Sequence, residues 1–272
     1  MPPPRVACHD APRTAPPQPW PIAPDMHLTQ PLHKALIERP AAEALLCGGR
    51  RTTWAGFVDR VARLAAVLQA QGVQHGDRVG MLGLNSDHYV TFLYATWWAG
   101  AVVNPVNIRW SPKEIAYSLD DCDTRVLLVD EHFQAATAGL QSLSRSLRTL
   151  VHWGNGAAPA GALDGPALAD QAAPVPDALR SGNDLAAVMY TGGTTGRPKG
   201  VMLSHGNLYS NVLSANLAAA RPVNSVGINT APMFHVGGMA LALQLINRLC
   251  RQVILPAFDE LPMLQAISAE GG

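Results

Sequence analysis

From about residue 28 onward, apolar positions recur with a regular period. Trp54, Phe57, Val58, Val61, Leu64, Ala65 and Leu68 fall at helical spacing and predict an amphipathic helix over 53–71, stopped by Gly72. "DRVGMLG" then reads as a short buried strand. Ser86 caps a second helix that runs to residue 99 and carries Tyr89, Phe92, Leu93 and Trp97; "AVVNPV" follows as a strand closed by Pro105. "SPKEIAYSLDDC" holds a capping box, with Ser111 as the cap, Pro112 at the first helical position and Glu114 reaching back. "TRVLLVD" and "DLAAVMYT" read as strands, Ser204 starts a helix through residue 220, and 252–255 reads as a strand leading into a helix. Strands and helices thus alternate from about residue 77, which predicts an α/β fold with largely parallel sheets and helices on their faces.

Only 154–183 breaks the rhythm. It is rich in Ala, Pro and Gly and has no period, so it reads as a long surface connection between two α/β units. The expected organisation is a disordered Pro-rich leader over 1–27, a first subdomain over 28–153, that connection, and the start of a second subdomain over 184–272.

Composition narrows the function classes. Apolar residues make up 48% and charged residues 15% of 272, which fits a globular chain with a sizeable core. The formal net charge is zero, so bulk electrostatics give no reason to expect nucleic acid or an anionic membrane as a partner. Cys8, Cys47, Cys122 and Cys250 are scattered and form no CxxC pair, which argues against a zinc site and a disulfide framework and for free thiols in the cytoplasm. The N-terminal prolines exclude a secretory signal, and no window reaches the roughly 18 apolar residues of a transmembrane segment.

The candidate chemistry lies in "YTGGTTGRPKG", residues 190–200. Ordering so glycine-rich a loop costs backbone entropy, and a bound anion is the natural compensation. Strand, glycine loop, helix is a layout for phosphate: glycines let the backbone approach, amides form an anion nest, threonines donate, and Lys199 supplies a point charge. The Walker pattern fails because Gly200 follows Lys199 where Ser or Thr belongs, and Gly192-Gly193-Thr194-Thr195-Gly196 does not match GxGxxG.

The longer run "YTGGTTGRPKGVMLSH" resembles the signature phosphate loop of the adenylate-forming superfamily, which comprises acyl-CoA synthetases, adenylation domains of peptide synthetases and luciferases. Gly193 stands where that family commonly has serine. "APMFHVGGM", residues 231–239, resembles the family's next motif, with His235 at its aromatic/histidine gate. "TTWAGFVDRVARLAAVLQAQGVQHGDRVGMLGLNS" is similar to the family's early helix and strand, and "AGAVVNPVNIRWSPKEIAYSLDDCDTRVLLVD" looks most like the bacterial fatty-acyl-CoA ligase branch. The resemblance covers about residues 28–272.

It implies a partial large N-terminal domain of the acyl-CoA synthetase type, with two mostly parallel sheets flanked by helices. It also implies the reaction: a carboxylic acid and ATP give an acyl-adenylate and pyrophosphate, and the thiol of coenzyme A then displaces AMP. Thr191, Gly192, Gly193, Thr194, Thr195 and Gly196 are expected to cradle the β- and γ-phosphates, with Lys199 assisting. His235 and Gly237 are expected at the acyl pocket. The family's adenine, ribose and Mg²⁺ partners and its adenylation lysine fall in motifs these residues lack, so the chain reads as an N-terminal fragment whose catalytic residue is unknown and which is unable to complete catalysis alone. The expected small-molecule partners are a carboxylic acid, ATP with Mg²⁺, and CoA, in a ligase of the fatty-acid type; a homodimer stays open. The alternatives are an aryl-acid CoA ligase, a stand-alone adenylation domain, or an inactive nucleotide- or phosphate-binding module.

Other residues have plainer readings. His205 reads as a helix-start residue, Asp120, Asp121 and Asp123 as a solvated turn, Trp97 and Trp98 as packing, and Arg60 and Arg63 as a solvated helix face.

Overall fold

The computed structural model describes residues 26–192 and 197–271. The leader up to residue 25 and the loop residues Gly193, Thr194, Thr195 and Gly196 lie outside the described residues. The chain opens with α1 (Gln30–Glu38), the hairpin β1 (Glu43–Cys47) and β2 (Arg50–Thr53), and α2 (Trp54–Ala70). There follow β3 (Arg78–Leu82), α3 (Asp87–Trp98), β4 (Val102–Pro105), α4 (Pro112–Asp121), β5 (Thr124–Val129), α5 (Thr137–Leu143) and β6 (Thr149–His152). The remainder is β7 (Leu163–Asp164), α6 (Gly165–Gln171), β8 (Leu185–Thr191), β9 (Lys199–Ser204), α7 (His205–Ala218), β10 (Val226–Asn229), α8 (Val236–Asn247), β11 (Arg251–Ile254) and α9 (Glu260–Glu270).

The strands form two sheets, ordered β10-β11-β1-β2 and β7-β6-β5-β3-β4-β8-β9. Each is parallel except for one antiparallel pair, β1 with β2 and β8 with β9. This is the expected α/β class, with two mostly parallel sheets flanked by helices. The sheets cross the boundary drawn at 154–183: β8 and β9 extend the sheet built from β3 to β7, while β10 and β11 join β1.

Local sequence explains most helix starts. Thr53 caps α2 by accepting from Gly56 N, Ser86 caps α3, and the α4 capping box forms as expected. Ser204 caps α7 and completes a second box with Asn207. The helix α3 is covered on all its faces. All twelve of its residues are buried, because it packs against β1 of one sheet and β3 and β4 of the other. A helix covered on all sides needs apolar residues all round, and its charged member must be paired. Asp87 is paired with Arg50 and Arg60, so Arg60 belongs to an ion network around a buried carboxylate and not to a solvated face. Trp97 and Trp98 pack as expected, their ring N–H groups donating to Ala186 O and Val175 O.

Two further readings change. The stretch 154–183 contains β7 and α6, and α6 packs on α2. Asp120 is not merely solvated: its carboxylate accepts from Ser144 Oγ and from the amides of Arg145 and Ser146. His205 is the first residue of α7, as expected; it is also 1% exposed, and burial pushes its imidazole down to about 4, so it sits neutral in the core at pH 7. Cys47, Cys122 and Cys250 are free thiols.

Candidate functional site

In the seven-stranded sheet β3, β4, β5, β6 and β8 run parallel, so their carboxyl ends share one edge. Ligands of open α/β sheets bind outside that edge, where successive connections leave in opposite directions. Here that point lies between β3 and β5, since the chain leaves β3 for β4 on one side and β5 for β6 on the other. The turn after β3, the segment after β4 and the end of β8 all meet at this edge.

The glycine loop joins β8 to β9 as an antiparallel hairpin, with Thr191 directly opposite Lys199. This corrects the strand–loop–helix layout. The loop does not feed a helix N-terminus: α7 begins only after β9, roughly 17 Å further along at the usual rise per residue. The dipole of a helix acts within its first turn, so α7 gives an anion at the loop no help. Lys199, Thr191 and Gly192 are exposed.

Both arms of the hairpin are tied to α4. Tyr190 Oη donates to Asp121 Oδ2 at 2.7 Å, and its ring meets Trp110 edge-on. Burial and the Asp121 bond push the Tyr190 hydroxyl well above its usual range, so it stays a donor. From the other arm, the Arg197 guanidinium lies 5.7 Å above the Tyr117 ring. Gly200 faces Tyr190 across the hairpin, and a Cβ there would sit 3.1 Å from Tyr190 Cζ. Glycine at this position leaves the space the Tyr190 ring occupies.

The second predicted motif follows β10. His235 caps α8, its Nδ1 accepting from Gly237 N at 3.3 Å. The structure therefore brings His235 and Gly237 together, both exposed, at the start of that helix. Beside them a cleft of about 300 Å³ is lined by Asn85, Ile108, Arg109, Pro232, Phe234 and Phe258, among others. Phe234, one residue before the predicted histidine, forms its wall, and the Arg109 guanidinium lies 6.0 Å from that ring. Among the described residues no hydrogen bond links the hairpin to residues 231–239. No group of three or more His, Cys, Asp or Glu among the described residues is arranged to hold a metal ion.

Sequence reasoning missed Asn85 and Arg109 and read Asp121, the partner of Tyr190, as part of a solvated turn. Asn85 and Asp121 act through partners far along the chain, so no local pattern marks them.

The AMP-binding enzyme family matches residues 32–271. The chain belongs to that family. Feruloyl-CoA synthase of Amycolatopsis sp is 36% identical to this AMP-binding chain over 242 residues, which are 88% of the chain and 46% of the relative. Long-chain-fatty-acid–CoA ligase of Thermus thermophilus is 35% identical over 227 residues, 81% of the chain and 41% of the relative. Among solved structures, ATP-bound MatB from Rhodopseudomonas palustris is similar at a TM-score of 0.78 and 28% identity, covering 90% of this chain and 48% of that one. The AMP-binding chain thus spans under half the length of the curated relatives it matches. No helix among its described residues is long and apolar enough to cross a membrane.

Proposed function

We propose that this chain carries the triphosphate clamp and one wall of the acid pocket of an ATP-dependent carboxylate–CoA ligase of the fatty-acid type. The observation that carries the reading is the hairpin, which presents Lys199 opposite Thr191 at the shared carboxyl edge. In the proposed reaction a carboxylate oxygen attacks the α-phosphorus of ATP, the bond to the bridging oxygen breaks, and pyrophosphate leaves. The thiol sulfur of CoA then attacks the acyl carbonyl and AMP departs.

The chain's own contribution is positioning and charge. The residues from Thr191 to Gly196, with Lys199, hold the β- and γ-phosphates, where fixed donors stabilise the charge that builds on the leaving pyrophosphate. Phe234 and His235, with Gly237, bound the acid. Mg²⁺ would accompany ATP and neutralise phosphate charge; no described residue is assigned to it.

An aryl acid is the second reading for the substrate. Two aromatic rings, Phe234 and Phe258, line the cleft, and one of the relatives is a feruloyl-CoA synthase.

Exchange of labelled pyrophosphate into ATP tests the proposal, with acids from acetate through palmitate to ferulate. Exchange that depends on one acid class would name the substrate and show that these residues adenylate without the motifs they lack. Lys199→Ala should lower it about 100-fold, the scale for removing one such charge-stabilising donor. A folded chain that gives no exchange with any acid limits these residues to binding phosphate. Exchange that persists in Lys199→Ala removes the lysine from the clamp.

A further inference from the structure

We propose that Asn85 is the positioning residue that fixes the acid-cleft wall, by holding the segment that carries Phe234 and His235; the cleft's role as an acid site rests on the function proposed above. Asn85 lies in the turn after β3 and is 5% exposed. Its Nδ2 donates to Ala231 O at 2.9 Å, and its Oδ1 accepts from Met233 N at 2.8 Å. One side-chain amide thereby pairs with two alternate residues of the 231–233 backbone, as a neighbouring strand would. The bonds run from the end of β3 in one sheet to the segment after β10 in the other.

What this segment carries gives the bonds their consequence. Met233 is fully buried, and the next residue, Phe234, is the cleft wall. His235 N donates to Pro232 O, and His235 caps α8. Gly238 lies so close beneath the same segment that a Cβ would stand 2.2 Å from Pro232 O. Asn85 therefore holds one side of a segment whose other side rests on α8.

Only an amide of this length satisfies both groups. A carboxylate can accept from Met233 N but cannot donate to Ala231 O, and the two oxygens would repel. Alanine removes both bonds and leaves the buried Met233 N and the half-buried Ala231 O without this partner, which is unfavourable for each. Glutamine adds a methylene to a packed position.

The test combines hydrogen exchange with equilibrium binding on the 272-residue chain, comparing wild type with Asn85→Asp and Asn85→Ala. In the wild type the Met233 amide should exchange slowly although it lies outside any strand or helix; free-loop exchange there overturns the proposal without any variant. In the shape-conserving Asn85→Asp, amides over 233–239 should exchange at least tenfold faster while those of β5 keep their rates. Acid affinity should fall at least tenfold, and ATP affinity should change less than twofold. Unchanged exchange over 233–239 overturns the proposal. Faster exchange with unchanged acid affinity overturns the link to the cleft. A wild-type chain that binds ATP but none of the acids defeats the acid-cleft reading itself, while the exchange rates still decide whether Asn85 positions the segment.

Discussion

Replacing Asp87 by alanine should destabilise the chain by about 3–5 kcal/mol, the scale for removing one partner of a buried ion pair. The Asp87 side chain is 1% exposed. Its Oδ1 accepts from Arg50 Nη2 at 2.7 Å, while Oδ2 accepts from Arg50 Nε and Arg60 Nη1, both at 3.0 Å. It also opens α3, the helix between the sheets, so its loss is felt by both. Without the carboxylate, Arg60 stays partly buried with no counter-charge, and its Nε and Nη2 already lack partners among the described residues. Asp87→Asn should recover little, because it keeps the shape and removes the charge.

The same pair fixes a pH dependence. Burial alone raises the Asp87 carboxyl, but the Arg50 hydrogen bond and the Arg60 and Arg50 charges outweigh it and hold the group well below the carboxylate range. A carboxyl held low in the fold contributes stability that is fully present above its unfolded value of 3.8 and is lost as the pH falls through the folded value. Urea unfolding at pH 7 and at pH 3 should therefore show a smaller loss on acidification for Asp87→Ala than for wild type. Equal urea midpoints for the two proteins at pH 7 would contradict the network.

The second large effect is expected at Gly238. A Cβ there meets Pro232 O at 2.2 Å and Ala231 O at 2.4 Å. Both are backbone atoms, and Ala231 O is already fixed by Asn85, so neither can swing aside as a side chain would. The segment must shift to admit even a methyl group. We expect Gly238→Ala to cost about 3 kcal/mol, the upper end for overpacking a tight site. For a chain of this size that lowers Tm by roughly 6–12 °C. Gly237 is the control, because a Cβ there meets only His235 Nδ1 at 3.6 Å. Gly237→Ala should move Tm far less, and equal Tm values for the two variants would falsify the close approach of 231–232 to α8.

How much of this was legible in the sequence depended on whether the cause was local. Helices α2 and α4 follow from apolar spacing and from caps within three residues of the first turn. Strand β2, "RRTT", has no apolar residue; it is a strand because β1 pairs with it. Strand β9 reads as loop and helix approach because Lys199 and Gly200 belong to the glycine motif and its Val201 and Met202 point outward at a sheet edge. Its pairing with β8 turned the expected strand–loop–helix into a hairpin. The site shows the same division. The phosphate-loop residues and His235 stand out by type and order. The tie from Tyr190 to Asp121 spans 69 positions and that from Asn85 to Ala231 spans 146, and neither leaves a trace in either neighbourhood.

The central claim is that the β8–β9 hairpin grips the pyrophosphate end of ATP. It is tested most directly by titrating the isotopically labelled chain with pyrophosphate and with ATP while following backbone amide resonances. The account predicts saturable shifts for the amides from Thr191 to Lys199 with either ligand, quiet resonances in β5 and β6, and loss of the response in Lys199→Ala. Saturable binding that moves resonances elsewhere and leaves the hairpin unshifted would contradict it.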